Sequence, residues 1–177
     1  MTRHVRELPP TPARSAAASP EELGSHAGVS FLRERLAPCL RELLPLIEKD
    51  WRECGSDHER IPLDIDLDRY LDYDLVGILQ LVTARDAGLL VGYVLNFIHP
   101  HMMHRSSRWC MIDLYWLYPE YRGQGVGRAL FEANEMFLRA SGVKVIQASE
   151  RVALRHALFQ RCGFKEEGVV WRKILEG

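Results

Sequence analysis

The sequence lacks several features that would each point to a particular class of protein. Its net charge is only −1, so no global basic field favours nucleic acid or an anionic membrane as a partner. No apolar run approaches the length of a membrane span, and the N-terminus carries no apolar signal-peptide core. The four cysteines are widely spaced and form no Cys-x-x-Cys pair, which indicates reduced thiols. We therefore expect a cytoplasmic protein that binds neither nucleic acid nor membrane.

The composition is that of an ordinary globular protein, with 47% hydrophobic and 27% charged residues. A chain of 177 residues suits one domain with a sizeable core. Residues 1–28 are rich in Pro, Ala, Ser and Arg and have no apolar periodicity, which predicts a flexible tail. The sequence thus predicts a single domain over residues 29–177, without an internal repeat.

Apolar periodicity predicts an alternation of helices and strands along this domain. A stripe with helical spacing runs through residues 31–54, where Pro38 and Pro45 predict two helices or one kinked helix. Two apolar runs joined by a Gly-containing turn predict a hairpin of strands over 78–84 and 89–98. The remaining predicted elements are a loop over 99–108, strands over 109–118, 143–148 and 169–175, and helices after the glycine-rich turn and over 151–162. This order favours a three-layer α/β (α+β) fold.

A glycine-rich turn lies where the strand over 109–118 gives way to a helix. Pro119 ends the strand, and glycines follow at 123, 125 and 127, just ahead of a run with helical spacing. The first-turn N–H groups of a helix have no partner within it, so this turn forms an anion site that the glycines leave open. It is not a P-loop, because Arg128 and Ala129 stand where Lys and Ser or Thr are required. Nor is it a dinucleotide fingerprint, since Arg128 occupies the third glycine position.

The residues from Arg122 to Gly127, Arg-x-x-Gly-x-Gly, resemble the acyl-CoA pyrophosphate loop of the GNAT superfamily of N-acyltransferases. Residues 117–121 resemble that family's strand exit and 159–164 its second motif, so the resemblance covers about 109–164. It implies a GNAT-like fold with a central mixed, largely antiparallel sheet flanked by helices. It also implies acetyl-CoA as acyl donor and a primary amine of a small molecule or protein as acceptor. The residues implied in donor binding are Trp116, Leu117, Tyr118, Arg122, Gly123, Gln124, Gly125, Val126, Gly127 and Arg128.

Direct attack of the amine on a thioester requires a polarised carbonyl, a base and a proton for the leaving thiolate. The resemblance assigns the first task to a backbone N–H near residues 116–118. Strand alternation predicts Met111, Asp113, Tyr115 and Leu117 on one face, and so Asp113 and Tyr115 as catalytic residues beside the amine. A carboxylate in so apolar a strand is costly unless it is partnered or functional. Pairing of Asp113 with a neighbouring Arg is the structural alternative.

An acidic run precedes the predicted hairpin, with aspartates at 64, 66, 68, 72 and 74. A calcium loop is excluded, because Arg69 stands at the glycine position and Leu75 at the position of the bidentate Glu. One interpretation is the N-terminus of a helix, where acids are favourable. In the family, however, this segment helps to line the acceptor entrance, and the acids would attract a cationic amine.

The predicted loop over 99–108 contains three histidines, which suggests a metal at first sight. No Cys or carboxylate nearby completes a set of four ligands, so no metal is expected. The resemblance places this loop on the acceptor side, which makes His104 and Arg105 the predicted substrate contacts.

Two positions depart from the family pattern. A tyrosine that protonates the leaving thiolate often stands four residues before the Gly-Phe pair, but this chain has Phe159 there, and Val152 replaces an Asn. Tyr115 and His156 are the alternative proton donors. Cys162 is not predicted as a nucleophile, because a helix C-terminus disfavours the thiolate. A non-catalytic acyl-CoA-binding module of the same fold stays open beside the enzyme, and a homodimer beside a monomer.

Overall fold

Six strands and four helices make up the described part of the chain. The computed structural model describes residues 19–54, 60–149, 156–168, 170, 173 and 174. In chain order its elements are β1 (Glu21–His26), β2 (Val29–Glu34), α1 (Leu36–Cys54), α2 (Leu67–Leu75), β3 (Leu79–Asp86), β4 (Leu89–His101), β5 (His104–Leu117), a 3₁₀ turn (Pro119–Tyr121), α3 (Val126–Ala140), β6 (Val143–Ala148) and α4 (His156–Arg161). The predicted strand over 169–175 and the start of the predicted helix over 151–162 lie largely outside the described residues.

A single sheet carries the strands in chain order from β1 to β6. Neighbouring strands are antiparallel except β5 and β6, which run parallel because α3 crosses over between them. Alternation along β4 sends Val94 toward α3 and Leu95 toward α1, so each face of the sheet buries its own apolar core. The predicted three-layer fold with a mixed, largely antiparallel sheet is confirmed.

The predicted boundary of the N-terminal tail at residue 28 is wrong. Residues 21–26 form β1, which pairs with β2 through a tight turn at Ala27 and Gly28, both at positive φ. Only Leu23 of β1 is buried, so the strand leaves almost no apolar pattern in the sequence. Residues 1–18 lie outside the described residues.

The predicted helix over residues 31–54 begins too early. Its first residues belong to β2, where Phe31 is buried in the sheet, and α1 starts only at Leu36. From there a single helix runs through Pro45 to Cys54 rather than two helices. The apolar spacing of the strand and of the helix merge at Leu32 and Leu36, so the sequence alone does not separate them.

The loop predicted over residues 99–108 is also wrong, because β4 and β5 continue through it as a long hairpin. His101 pairs directly with His104, and Met102 and Met103 form the turn. The imidazole rings stack on Trp109, with the His101 and Trp109 centroids 4.1 Å apart. Three histidines and a proline are typical of a loop. In this structure, stacking of two of the histidine rings on Trp109 accompanies the continued pairing of the two strands.

Strand β5 is the element that organises the site, and two irregularities shape it. Leu95 pairs with Leu114 and Asn96 with Ile112, so Asp113 is an extra residue in a β-bulge. On its other edge β5 pairs with β6 only as far as Ile112 and Ala148. β6 itself ends at Ala148, so within the described residues no strand pairs with this edge of β5 beyond Ile112.

Candidate active site

Two cavities flank the C-terminal half of β5. The glycine-side cavity, about 610 Å³ in volume, lies between β5, α3 and α4, and its lining includes Leu117, the glycines at 123, 125 and 127, Leu158 and Arg161. The acidic cavity, about 390 Å³, lies between α1, the segment over 63–70 and β5, and its lining includes Asp50, Asp64, Asp66, Asp113 and Leu114. Tyr115 lines both cavities, so they meet at this residue.

The glycine-side cavity contains the predicted anion site. Gly125 is the N-cap of α3 with φ of +83°, and Gly123 has φ of +78°, a region that favours glycine. The first backbone bond of the helix runs from the Ala129 N–H to the Gly125 carbonyl, so the N–H groups of residues 126–128 precede the helical hydrogen-bond ladder. A Cβ on Gly127 would meet only the Leu117 and Leu158 side chains, at 3.8 and 3.9 Å. The backbone is therefore accessible to an anion at Gly127.

Arg122 lines this cavity, but its guanidinium is held by the protein. Both terminal nitrogens donate to Glu53 at 2.8 Å, and Nε donates to the Leu117 carbonyl at 2.8 Å. The indole of Trp116 donates to the same Glu53 carboxylate at 2.8 Å. Glu53, in the last turn of α1, thus ties this helix to the end of β5. The sequence carried no signal for this, because Glu53 reads as one more polar residue of an amphipathic helix.

Two other predicted donor-binding side chains also have partners within the protein. Arg128 lines the cavity and pairs with Glu132 at 2.7 Å on the exposed side of α3. The Gln124 amide donates to the Glu120 carbonyl at 2.7 Å. These contacts leave the backbone N–H groups as the main anion donors of the loop, and Arg128 and Arg161 as cationic side chains in the lining of the cavity.

The backbone of β5 presents one further donor near its C-terminal end. The Tyr118 N–H donates to the Val91 carbonyl of β4 at 2.9 Å. Since successive N–H groups of a strand point to opposite edges, the Leu117 N–H points away from β4, toward the edge of β5 that lies beyond its pairing with β6. This is the place at which the resemblance expects a backbone donor for a thioester carbonyl.

The acidic cavity brings together carboxylates that are far apart in the sequence. Asp50, only 6% exposed, comes from α1, while Asp64 and Asp66 precede α2. Asp66 also caps α2 by accepting from the Arg69 N–H at 3.1 Å, which confirms the predicted helix N-terminus. By contrast, Asp74 is buried in an ion pair with Arg35 at 2.9 Å and has a structural role.

Asp113 faces the acidic cavity because of the bulge. The prediction that it shares a face with Tyr115 is wrong: the extra residue shifts the alternation, so Tyr115 and Leu117 face α3 while Asp113 faces α2. There the Tyr70 hydroxyl donates to Asp113 at 2.8 Å. Burial, with added contributions from the Asp113 charge and hydrogen bond, raises the pKa of Tyr70, so the hydroxyl stays protonated and donates at neutral pH.

The ring of Tyr115 packs edge-on against Phe131 and Phe159, with centroids 5.3 and 5.5 Å away. Phe159 itself is buried in this aromatic cluster and is not among the residues that line the glycine-side cavity. Of the two proton donors predicted from the sequence, Tyr115 is therefore the one whose side chain the structure describes, and it lines both cavities. The side chain of His156 and residue Val152 lie outside the described parts of the chain.

Other residues singled out from the sequence line neither cavity or are unreactive. His104 and Arg105 belong to the β4–β5 hairpin and line neither cavity. Burial, with a smaller contribution from Glu132, raises the pKa of the Cys162 thiol to about 11, so it is protonated and a poor nucleophile. Within the described ranges, no three His, Cys, Asp or Glu residues are grouped as a metal site. Nor does any helix there combine the length and apolarity needed to cross a membrane.

A mixed sheet whose one parallel pair ends short of the glycine-rich start of a crossover helix is an acyltransferase-like architecture. The model of the acetyltransferase (GNAT) family matches residues 40–164. The chain is 28% identical over 153 residues to the aminoglycoside N(6′)-acetyltransferase type 1 of Stenotrophomonas maltophilia, covering 78% of this chain and 94% of the relative.

Solved structures agree on the fold. A GCN5-related N-acetyltransferase from Ralstonia eutropha JMP134 superposes with a TM-score of 0.70 at 18% identity, over 83% of this chain and 99% of that one. An aminoglycoside acetyltransferase from an uncultured soil metagenomic sample gives 0.67 at 16% identity, over 84% and 97%. The chain belongs to the GNAT acetyltransferase family, and it is an N-acetyltransferase that moves an acetyl group to an amine. The non-catalytic alternative is not favoured.

Proposed function

We propose that this enzyme takes the acetyl group from acetyl-CoA and transfers it to a primary amine of a polycationic small molecule, with an aminoglycoside as the acceptor class. The observation that carries the proposal is the juxtaposition of a cavity lined by four aspartates with a cavity built to receive an anion. The relative named as an aminoglycoside N(6′)-acetyltransferase supports the acceptor class.

The glycine-side cavity fits acetyl-CoA in size and chemistry. Its volume, about 610 Å³, lies within the range of ligand sites. The free N–H groups at the start of α3 suit a pyrophosphate, and the positive end of the helix dipole adds to them. Leu117, Leu130 and Leu158 supply an apolar wall for the pantetheine arm along β5. In this arrangement the Leu117 N–H polarises the thioester carbonyl.

The acidic cavity fits a cationic acceptor. Asp50 and Asp113 form its inner carboxylates and Asp64 and Asp66 its outer ones, of which Asp66 is ion-paired at 3.2 Å with Arg69, a cationic residue of the same lining. An ammonium group on the acceptor would form charge-assisted hydrogen bonds with such carboxylates, which are stronger than bonds between neutral groups. Several carboxylates around one cavity favour a molecule with several ammonium groups over a simple monoamine.

The transfer step divides the chemistry between two residues of β5. The neutral amine forms the new C–N bond, the C–S bond breaks, and the proton lost by the amine passes toward Asp113. Roughly 13 Å of strand separates Asp113 from Leu117, so this proton travels through water rather than directly. We assign protonation of the leaving thiolate to Tyr115, which lines both cavities.

Release of coenzyme A from acetyl-CoA in the presence of an acceptor panel tests the proposal. The panel contains an aminoglycoside, a neutral amino sugar of similar size, a simple monoamine and a peptide with a free N-terminus. We expect rapid release and a singly acetylated product, identified by mass, with the aminoglycoside only. Turnover restricted to the peptide or to neutral amines would overturn the proposed acceptor class, and no release with any amine would overturn the proposed donor and reaction.

A further inference from the structure

His26 is a residue outside the predicted domain that contacts the candidate donor site. It is the last residue of β1 and lies 98 positions before the loop that precedes α3. Its Nε2 lies 3.0 Å from the Gln124 carbonyl oxygen, and since a carbonyl only accepts, Nε2 donates. The glycine-rich turn is thus held from the edge strand of the sheet as well as from its own helix.

The same imidazole explains one glycine of the turn. A Cβ built on Gly125 would lie 2.9 Å from His26 Nε2, closer than real Cβ atoms approach another atom. The space that a side chain would occupy at Gly125 is therefore filled by His26. Gly127 differs, because a Cβ there would make only ordinary contacts of 3.8 and 3.9 Å. Gly125 serves an internal contact, whereas Gly127 leaves room for a ligand.

The contact also determines which way a peptide group points. The Gln124 carbonyl and the Gly125 N–H belong to one planar trans peptide and point in opposite directions. With the carbonyl directed at His26, the Gly125 N–H points to the other side of the loop, and Gly123, Gly125 and Gly127 line the glycine-side cavity. The residue after this peptide is Gly125, whose lack of a Cβ lowers the steric cost of reversing the peptide, so without His26 this orientation loses its support.

We infer that His26 is a positioning residue of the donor site: by holding the Gln124 carbonyl, it directs the Gly125 N–H toward the pyrophosphate of the acyl donor. This inference rests on the proposed use of acetyl-CoA. It assigns β1 a part in donor binding, since the hairpin of β1 and β2 supplies the group that shapes the loop.

A comparison of two acetyl donors tests this role. Acetyl-CoA carries the pyrophosphate, whereas S-acetylpantetheine has the same thioester and arm without it. His26→Ala should raise the KM for acetyl-CoA about three- to tenfold, the effect of one lost hydrogen bond. It should leave the KM for S-acetylpantetheine and the kcat with either donor unchanged. His26→Gln, which restores an N–H donor of similar reach, should recover part of the loss.

Ser25→Ala, one residue earlier on β1, is the matched control and should behave as wild type with both donors. If thermal unfolding shows His26→Ala to be unstable, His26→Phe retains a ring without the donor and takes its place in the comparison. Equal KM increases for both donors, or none for acetyl-CoA, would overturn the inference. Failure of the wild type to bind acetyl-CoA would instead overturn the proposed function, so the two failures are distinguishable.

Discussion

The two cavities beside β5 differ in charge and in the way the chain builds them. The glycine-side cavity comes mostly from one continuous stretch, the end of β5 and the start of α3, and offers backbone N–H groups and arginines. The acidic cavity collects carboxylates from α1, from the segment before α2 and from β5. The proposed anionic donor and cationic acceptor would therefore each be attracted to a different cavity by charge.

The bulge at Asp113 allows one strand to serve both cavities. Without it, Asp113 and Tyr115 would share a face and the carboxylate would point toward α3. With it, β5 places Asp113 in the lining of the acidic cavity and, two residues later, Tyr115 in the lining of both cavities. Five substitutions test this division of charge between the two cavities.

Asp113→Asn removes the base from the acidic cavity and should have the largest effect. We expect kcat to fall about a hundredfold, because the proton that water carries from the amine loses its carboxylate acceptor, with the Kd for acetyl-CoA unchanged. Steady-state kinetics and calorimetric titration give the two values. Asp68→Asn, an exposed aspartate of α2 that lines neither cavity, is the matched control. A rise in acceptor KM without a fall in kcat would make Asp113 a binding residue only.

Gly127→Val tests the other cavity at the point where its backbone is open. The side chain should project into the pyrophosphate position and raise the Kd for acetyl-CoA at least about tenfold, or about 1.4 kcal/mol. Gly127→Ala should weaken binding less while leaving thermal stability unchanged or higher, since alanine favours a helix over glycine. Gly168→Val, at a glycine with nothing within 4 Å of its Cβ position, controls for the substitution itself. Unchanged affinity for acetyl-CoA in both Gly127 variants would show that the pyrophosphate does not bind here.

Asp50→Asn tests whether the acidic cavity selects charge. Removing one carboxylate while keeping its shape should raise the KM of a polycationic amine about fivefold, or roughly 1 kcal/mol for a partly solvated ion pair. The KM of a neutral amine should stay the same. Added salt should also raise the KM of the cationic amine in the wild type and do so less in the variant. Equal changes for charged and neutral amines would show that Asp50 is structural.

Tyr70→Phe tests the support of Asp113 through pH. The Tyr70 hydroxyl donates to the carboxylate, and this bond favours the ionised form over the protonated one. Without it the acid limb of the kcat profile should move to higher pH by roughly half a unit to one unit, with a smaller loss of kcat at the optimum. Tyr73→Phe, on the same helix, is the control. If the acid limb of the kcat profile does not move, the group that titrates there is not Asp113.

Phe159→Tyr should have the smallest effect on rate. The family pattern predicts that a hydroxyl at this position holds or raises kcat, but Phe159 is packed among Tyr115, Phe131 and Phe164 away from the cavity lining. We expect kcat within about twofold of wild type and a loss of about 1 kcal/mol of stability, because the added hydroxyl is buried. Kinetics and thermal unfolding measure both. A tenfold gain in kcat would mean that residue 159 reaches the thiolate.

The sequence predicted the glycine side better than the acidic side, and the reason lies in how each is encoded. Residues 109–140 contain strand, proline, glycines and helix in a row, so local rules suffice to identify β5 and α3. Their assigned roles in donor binding stay predictions. The bulge at Asp113 left no mark, because inserting one residue into an apolar strand does not change its composition. Arg122 was predicted as a phosphate neighbour, and its bond to Glu53 depends on a helix about 70 positions earlier.

The N-terminal hairpin shows the same limit. β1 buries only Leu23, so period-two alternation was absent and residues 21–26 read as tail. Asp50 was likewise hidden in α1, where a polar residue on an amphipathic helix normally faces solvent. The pairing of β1 and the burial of Asp50 both depend on tertiary packing, which the local sequence pattern does not show. The acidic run before α2, in contrast, was visible because five aspartates within eleven residues are conspicuous in any composition.

In the proposed reaction both cavities are occupied at once, and the amine attacks the thioester directly. Initial rates measured over a matrix of acetyl-CoA and acceptor concentrations test this most directly. We predict double-reciprocal lines that intersect, and no acetylated protein by mass spectrometry when acetyl-CoA is supplied without acceptor. Parallel lines, together with an acetyl group on the enzyme itself, would indicate a covalent intermediate and contradict the account.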